Sequence, residues 1–272
     1  MDGEWKQPVD LQLDRAHSAR MYDYYLGGRT NFQADREAVG KVIAAFPHAL
    51  SAARENRAFM HRSTGYLAGR GIRQFLDIGT GIPTHPNLHE IAQQVLPEAR
   101  VVYVDNDPIV LTHAQALLRS SAPGRSAYVQ ADLNAPESIL ADPELRATLD
   151  LDRPVALSLN AVLHFISEQA AVYEIVDTLK AALAPGSALV LSHGTGDFAP
   201  AAAAALERAY GAAGTPVRAR TRAQIKQFFD TWDLVEPGVV ATYRWHPQHP
   251  DDLRAMTDPE ASCYGGVAIK ID

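Results

Sequence analysis

The chain has 272 residues, of which 47% are hydrophobic and 21% charged, and this composition excludes a fully disordered or a collagen-like protein. Its net charge is −7 and its lysines and arginines are scattered, so we expect no nucleic-acid partner. A single cysteine, Cys263, excludes an internal disulfide framework and a zinc cluster built on several thiolates.

The sequence carries no signal for export or for insertion into a membrane. Its amino-terminal segment is polar, and no stretch approaches about 18 consecutive apolar residues. We therefore expect a cytoplasmic protein without a membrane partner. His85, His89, His246 and His249 do not follow a paired metal-ligand spacing, so we expect no bound metal. The sequence indicates no oligomeric state.

The first part of the chain has helical patterns and no clear strand. An aromatic and basic segment spans Leu11–Tyr25, and two further helices are predicted at Asp35–Phe46 and Ser51–Leu67. We therefore predict two domains, an N-terminal helical cap over residues 1–70 and a second domain over residues 71–272.

From residue 72 onward, short apolar runs alternate with helical segments. The runs that we interpret as strands are Ile72–Ile78, Arg100–Val104, Ser126–Gln130, Val155–Asn160 and Ser187–Ser192. The helices predicted between them lie near Asn87–Val95, Pro108–Arg119 and Glu168–Leu183. This alternation is typical of βαβ units, which build a doubly wound parallel sheet.

The last part of the chain follows a different pattern. A capping box at Thr221 begins a helix, and two strand-like runs follow it, Gly238–Trp245 and Tyr264–Ile269. Because no helix-length crossover separates these runs, we expect them to pair antiparallel. The predicted fold is α/β: a doubly wound, Rossmann-like sheet of about seven strands with an antiparallel last pair and an N-terminal helical cap.

The first predicted strand runs directly into a Gly-x-Gly turn. Asp77 lies two residues before Gly79, and Gly81 completes the turn. Glycines let the backbone turn tightly and approach a ligand beside the amides of the next helix. The pattern is weak by itself, because plain tight turns also contain it.

Two later carboxylates support a ligand site at this turn. Asp105 ends the second predicted strand, where it can accept hydrogen bonds from both hydroxyls of a ribose. Asp132 follows the third, where it can accept from an adenine amino group. The carboxyl ends of parallel strands form the ligand-binding edge of such sheets, so the acids together predict a nucleoside site. The alternative for any one of these acids is a helix N-cap. We interpret Asp107, which precedes Pro108, as such an N-cap.

The residue pattern also distinguishes two classes of nucleoside cofactor. A nicotinamide dehydrogenase would have a third glycine where this chain has Thr84, and its pyrophosphate would lie against the carboxylate of Asp77. S-adenosylmethionine instead carries an α-ammonium and a sulfonium, which a carboxylate attracts. The pattern therefore favours S-adenosylmethionine as the cofactor, and a dehydrogenase remains a further alternative.

These segments resemble the class I S-adenosylmethionine-dependent methyltransferases. The resemblance rests on Asp77-x-Gly79-x-Gly81, Asp105 and Asp132, on residues 183–190, and on the segment Asn160–Ile166. A narrower resemblance, at residues 19–28, 35–37, 56–57 and 81–84, is to an actinobacterial methyltransferase family of unknown substrate. It covers nearly the whole chain and implies the fold and the cofactor but no acceptor.

The resemblance implies roles for particular residues. Asp77 and the two glycines would contact the methionine end of the cofactor, Asp105 the ribose and Asp132 the adenine amine. The predicted cofactor-binding residues are Asp77, Gly79, Thr80, Gly81, Asp105, Asn106, Asp132, Leu133 and Asn160. The predicted reaction is methyl transfer to an oxygen or nitrogen of a small molecule. The alternative function is a protein that binds the nucleoside without methyl transfer, as a sensor or a partner protein. It remains an alternative because the sequence contains no unmistakable catalytic base.

Three residues are candidates for catalysis. His164 and His193 follow the fourth and fifth predicted strands, at the functional edge of the sheet, where a base would serve an acceptor that must lose a proton. A structural, hydrogen-bonded histidine is the alternative for each. Tyr22, in the aromatic N-terminal segment, is the third candidate.

Three further residues are predicted to contact substrate. Tyr25 shares a helix face with Tyr22, and Arg29 lies beyond a Gly-Gly pair, so this segment is interpreted as a lid over an acceptor pocket. Simple aromatic packing onto the main domain is the alternative. Trp245, at the end of the penultimate predicted strand, is expected to close the opposite wall.

Overall fold

The computed structural model describes residues 11–117, 122–254 and 256–271. Three helices precede the sheet: α1 (Ser18–Tyr25), α2 (Gln33–Ala45) and α3 (Ala49–Gly69). In the aromatic and basic segment Leu11–Tyr25, only the second half is helical. His17 is extended and its backbone N–H donates to Asp35 Oδ1 at 2.9 Å, so α1 begins only at Ser18. Residues 1–10 of the predicted cap lie outside the described residues.

The helices of the predicted cap pack in two different ways. α1 and α2 share an apolar cluster that includes Met21 and Val42, whereas α3 lies on the sheet, with Phe59 and Leu67 fully buried against it. Residues 1–70 therefore contain both a covering layer and part of the core of the sheet. A cap that acts as a unit remains a prediction.

Five parallel strands coincide with the five predicted apolar runs. They are β1 (Gln74–Ile78), β2 (Arg100–Asp105), β3 (Arg125–Gln130), β4 (Ala156–Asn160) and β5 (Ala188–Gly194). They lie in the order β3-β2-β1-β4-β5, so the order reverses between β1 and β4. Alternate side chains of β1, such as Phe75 and Leu76, belong to different apolar clusters, one on each face.

The connections between strands are mostly helical, as predicted. They are α4 (Leu88–Val95), α5 (Pro108–Leu117), α6 (Pro136–Ala141), α7 (Pro143–Thr148), α8 (Gln169–Ala181) and α9 (Pro200–Ala212). The sequence did not predict α6 and α7, which are only six residues each. The end of the helix predicted over Pro108–Arg119 lies outside the described residues. Later come α10 (Arg222–Gln227), with its predicted capping box at Thr221, and α11 (Asp258–Ala261).

The end of the sheet differs in part from the prediction. The last strand, β8 (Cys263–Ile269), pairs antiparallel with β5 along one edge and with β6 (Asp233–Leu234) and β7 (Val240–Ala241) along the other. The predicted strand Gly238–Trp245 is therefore only two residues long. After β7 the chain forms a 3₁₀ turn and leaves the sheet to bury Trp245 under α3. Among the described residues, the sheet has eight strands.

Within the described ranges, none of the helices combines the length and the apolar character needed to cross a membrane.

Candidate functional site

A cavity of about 1010 Å³ opens at the carboxyl edge of the sheet, where the strand order reverses beside β1. Such switch points are the usual ligand sites of open α/β sheets. Its walls come from this edge and from α1, α2, α3 and α9. The volume lies at the top of the range of roughly 300–1,000 Å³ for a single small-molecule pocket, so a nucleoside leaves room for a second molecule.

The structure brings all nine predicted cofactor-binding residues to this cavity. They are Asp77, Gly79, Thr80, Gly81, Asp105, Asn106, Asp132, Leu133 and Asn160. They come from the ends of β1 to β4 and from the turns that follow, which explains how residues more than 80 positions apart meet. Asp107 does not line the cavity and accepts from the backbone N–H of Ile109 at 2.9 Å, as an N-cap does.

The Gly-x-Gly turn needs its glycines for different reasons. Gly79 and Gly81 both have positive φ, +76° and +68°. A Cβ on Gly79 would lie 2.5 Å from Val162 Cγ2, whereas a Cβ on Gly81 would meet nothing within 4 Å. Gly79 therefore combines a left-handed backbone with close packing, and Gly81 requires only the backbone conformation.

This contrast predicts unequal costs for the two alanine variants. Gly81→Ala should cost about 1 kcal/mol of stability from the left-handed conformation, and Gly79→Ala about 3 kcal/mol because Val162 must also move. Thermal unfolding of the two variants and the wild type measures the difference. Equal losses would show that the contact with Val162 relaxes freely.

The carboxylate of Asp105 is held rigidly at the end of β2. Its Oδ2 accepts from the backbone N–H of Gly81 at 2.8 Å, and its Oδ1 accepts from that of Asp107 at 3.0 Å. Burial raises the pKa of Asp105, and these two N–H groups act in the opposite direction. Each oxygen keeps a lone pair for a ligand hydroxyl, so the group is a preorganised acceptor that also ties the glycine turn to β2.

Asp77 lies beside a cationic residue that we did not predict from the sequence. Its Oδ2 accepts from Thr80 Oγ1 at 2.9 Å, and its burial raises its pKa while the charge of Arg57 lowers it. The Arg57 guanidinium donates to the carbonyls of Thr84 and Pro86, and its buried Nε has no partner. The sequence could have indicated Arg57 by its spacing. It lies four residues after Ala53 on the predicted helix and so shares a helix face with it, and the structure buries Ala53.

The end of β4 also presents an unsatisfied polar atom. Asn160 donates from Nδ2 to Ser158 Oγ at 2.7 Å, and its buried Oδ1 has no partner. The next residue, Ala161, has φ +52°, which is unusual for a residue with a side chain. Backbone strain of this kind concentrates at functional sites.

Asp132, which was predicted to accept from the adenine amino group, also lines the cavity. Asp132 Oδ1 accepts from the backbone N–H and the side-chain Nδ2 of Asn134, each at 2.9 Å, which leaves Oδ2 for another donor. Leu133 is buried and supplies an apolar surface beside it. Residues of the segment before α1, among them Arg15 and His17, line the cavity as well.

The two candidate histidines have different surroundings. His164 lines the cavity in the 3₁₀ turn Leu163–Phe165, and its buried Nδ1 has no partner. Burial, with the charge of Arg220, lowers the pKa of His164 to about 4, so the ring is neutral at physiological pH. His193 does not line the cavity. Its Nδ1 bonds to the Gly194 carbonyl and its Nε2 to Arg220, both at 2.8 Å, which matches the structural alternative.

The two N-terminal tyrosines line the cavity with their hydroxyls engaged. Tyr22 donates to the Ala53 carbonyl and accepts from Asn56 Nδ2, each at 3.0 Å. The Tyr25 hydroxyl lies 2.9 Å from that of Tyr210 on α9. Burial raises the pKa of Tyr22 to about 12, so its hydroxyl is protonated at neutral pH and is not a base.

Two predicted substrate-binding residues lie away from the cavity. Trp245 is fully buried under α3, with ring contacts to Phe59 and Tyr66, because the chain leaves the sheet after β7. Arg29 is exposed beyond the end of α1 and does not line the cavity. Neither residue is placed to touch a molecule in the cavity.

Known proteins of similar sequence and structure were found for nearly the whole chain. A sequence profile described as "S-adenosyl methyltransferase" matches residues 4–271. A DUF574 family protein from Streptomyces avermitilis is 49% identical with a TM-score of 0.92, and the match covers 96% of this chain and 99% of that one. A candidate methyltransferase from Thermobifida fusca is 40% identical with a TM-score of 0.90, covering 99% and 100%.

More distant structures share the fold alone. An O-methyltransferase family protein from Burkholderia thailandensis is 12% identical with a TM-score of 0.53, covering 82% of this chain and 60% of that one. The search of curated proteins found no match. The full-length profile match and the two close relatives decide the family. The chain belongs to the S-adenosyl methyltransferase family and is a methyltransferase whose cofactor is S-adenosylmethionine.

Proposed function

We propose that this enzyme transfers the methyl group of S-adenosylmethionine to an oxygen or nitrogen atom of a small molecule bound in the same cavity. The observation that carries the proposal is the continuity of this cavity. Its sheet edge holds the predicted cofactor residues, and its far side is enclosed by Tyr22, Tyr25 and α9. An enclosed second compartment beside a cofactor suits a small acceptor.

The unsatisfied polar atoms of the site fit the cofactor. The guanidinium of Arg57, with its unpaired Nε, would bind the carboxylate of the methionine part. The carboxylate of Asp77 and the unpaired Oδ1 of Asn160 would accept from the α-ammonium. Asp105 would hold the ribose hydroxyls and Asp132 the adenine amine.

Methyl transfer from a sulfonium requires mainly that the protein align the two reacting molecules. When bound, S-adenosylmethionine would supply an electrophilic methyl carbon to the acceptor heteroatom, with the thioether S-adenosylhomocysteine as the leaving group. A hydroxyl or amine acceptor would release its proton to solvent. The chain has to hold both molecules in line and exclude water. The neutral ring of His164 is suited to accept a hydrogen bond from the acceptor and so to orient its lone pair. Its low pKa makes it a weak base.

This role for His164 predicts an effect on turnover rather than on cofactor binding. His164→Phe, which removes the hydrogen-bond acceptor, should lower kcat about tenfold, or about 1.4 kcal/mol, at unchanged affinity for S-adenosylhomocysteine. His164→Gln, which keeps an acceptor atom, should recover part of the rate. Steady-state kinetics at pH 7 measures both, and an unaltered kcat in His164→Phe would remove the residue from the mechanism.

The proposed function is tested by binding and transfer together. Calorimetric titration should show saturable binding of S-adenosylmethionine and S-adenosylhomocysteine. Incubation with S-adenosylmethionine and pooled phenols and amines should then give S-adenosylhomocysteine and a methylated product by mass spectrometry. Binding without any transfer would instead favour the nucleoside-binding sensor. Binding of NAD without S-adenosylmethionine would contradict the cofactor assignment.

A further inference from the structure

The part of the cavity beyond the cofactor residues has a distinct lining, which we call the acceptor chamber. It is lined by Tyr22, Tyr25, Ala53, Asn56, Ala202 and Tyr210. Small alanine side chains leave the space open, and the tyrosine rings border it. The chamber is enclosed by helices from two distant parts of the sequence, α1 and α3 on one side and α9 on the other.

The lining of the chamber contains no charge that is free to pair with a ligand. The hydroxyl of Tyr22 is bonded to Asn56 and to the Ala53 carbonyl, and the hydroxyls of Tyr25 and Tyr210 are bonded to each other. A charged group placed there would lose its water without gaining a partner. Burying an unpaired charge costs several kcal/mol, so this compartment selects against ionised molecules.

Four charged side chains that line the cavity outside the chamber are hydrogen-bonded, exposed or assigned to the cofactor. Glu207 on α9 accepts from the backbone N–H of Ala219 at 2.7 Å. Arg218 is exposed and donates to the Ser167 carbonyl at 3.0 Å, and Lys41 on α2 is exposed. Arg57 donates to the carbonyls of Thr84 and Pro86, and its unpaired Nε is the group assigned above to the carboxylate of the cofactor. None of the four belongs to the residues that define the chamber.

The rings around the chamber favour an aromatic ligand. Tyr210 contacts Phe165 edge to face, with ring centroids 6.3 Å apart, and Phe165 lies 4.5 Å from the ring of His164. Aromatic rings gain energy from offset and edge-to-face packing beyond the burial of their area. Towards the cofactor side, the unpaired Nδ1 of His164 is a polar atom without a partner among the described residues.

We infer that the acceptor is an uncharged molecule with an aromatic ring, which packs in the acceptor chamber while its oxygen or nitrogen faces the methyl group. The inference rests on the proposed function, because it takes the chamber as the acceptor site. It also assigns Ala202 a role in specificity, since a larger side chain there fills the space that the ring occupies.

Three consecutive alanines of α9 provide matched variants. Ala202 and Ala203 line the cavity, whereas Ala204 is exposed and does not. Ala203 Cβ lies close to Gly196, so Ala202→Leu is the first variant and Ala203→Leu the second. Ala204→Leu is the control, because it makes the same change on the same helix. Leucine is a good helix former, so all three variants preserve α9.

The test uses protein saturated with S-adenosylhomocysteine and the probes 2-naphthol and 2-naphthoate, which share a ring system and differ in charge at pH 7. Ligand-observed NMR titration should show 2-naphthol binding at least tenfold more tightly than 2-naphthoate. Ala202→Leu should weaken 2-naphthol binding at least tenfold, with Ala203→Leu in the same direction, and Ala204→Leu should leave it unchanged.

Two results would overturn the inference: equal or tighter binding of 2-naphthoate, or no binding of 2-naphthol to the saturated protein. Equal weakening in Ala202→Leu and Ala204→Leu would likewise place the probe outside the chamber. The affinity for S-adenosylhomocysteine is measured in every variant and should not change. Failure of the wild type to bind S-adenosylhomocysteine would instead contradict the proposed function, so the two failures are distinct.

Discussion

Asp105→Ala is expected to weaken the binding of S-adenosylhomocysteine about a hundredfold, equivalent to about 2.7 kcal/mol. The carboxylate is held by the N–H groups of Gly81 and Asp107 and would accept from both ribose hydroxyls. Removing it deletes two hydrogen bonds to a charged acceptor, and water that enters the vacated space replaces part of their energy. Calorimetric titration of the variant and the wild type measures the loss.

Two further variants keep this prediction specific. Asp105→Asn retains one carbonyl acceptor and should lose less affinity than Asp105→Ala. Asp251→Ala removes a carboxylate that is 89% exposed and outside the cavity lining, and should bind like the wild type. A loss smaller than threefold in Asp105→Ala, with its fold intact by circular dichroism, would show that the cofactor does not depend on this carboxylate.

Arg20→Met is expected to cause the largest loss of stability among the changes considered, about 3–5 kcal/mol. Arg20 is 2% exposed, and its Nε lies 3.3 Å from Asp107 Oδ2 and 3.8 Å from Asp35 Oδ1. Both carboxylates are buried, so removal of the guanidinium takes away the arginine charge that they share. Asp35 then keeps only backbone N–H donors, and Asp107 keeps His17, whose Nδ1 lies 3.1 Å from its Oδ2. For a chain of this size each kcal/mol corresponds to about 2–4 °C, so thermal unfolding should show a shift of roughly 10 °C.

The control for this prediction is Arg29→Met. Arg29 is exposed, so this variant makes the same substitution at the surface. Its melting temperature should stay close to that of the wild type. Adding Asp107→Asn to Arg20→Met should recover part of the loss, since the amide oxygen still caps α5 and one buried charge is removed. If Arg20→Met has the same melting temperature as Arg29→Met, the ion pairs of Arg20 with Asp35 and Asp107 contribute nothing to stability.

The same cluster links the two halves of the site. The backbone N–H of Asp107 bonds to the carboxylate of Asp105, and the Asp107 side chain pairs with Arg20 on α1. α1 also carries Tyr22 and Tyr25 to the acceptor chamber. The position of the helix that encloses the acceptor is therefore connected, through side chains and one turn, to the predicted ribose contact.

The parallel sheet was readable from the sequence because its central strands are buried on both faces. Such strands appear in the sequence as short apolar runs. Phe75–Ile78 and Val101–Val104 are two of these runs, and all their residues except Asp77 are buried. Asp77, Asp105 and Asp132 interrupt or follow these runs at the same relative place. Their meeting at one edge follows from the parallel arrangement itself, before any side-chain contact is known.

The short elements at the end of the chain were not readable in this way. β6 and β7 are two residues each, and they exist only because β8 offers them a free edge. Nothing local distinguishes Val240–Ala241 from the residues that follow, so the predicted strand was too long. The start of α1 was not predictable from the local sequence either, since the backbone N–H of His17 bonds to Asp35 on another helix.

The sequence by itself determined the α/β class, the order of strands and helices along most of the chain, and the acidic residues at the carboxyl edge. These follow from burial patterns and turn residues within a few positions of one another. Only the tertiary structure decided that the charge of Arg57 acts on Asp77, that Tyr25 meets Tyr210, and that Trp245 and Arg29 lie away from the cavity. Those contacts depend on how helices far apart in sequence pack over the sheet, and a pattern of apolar residues specifies which face is buried without specifying its partner.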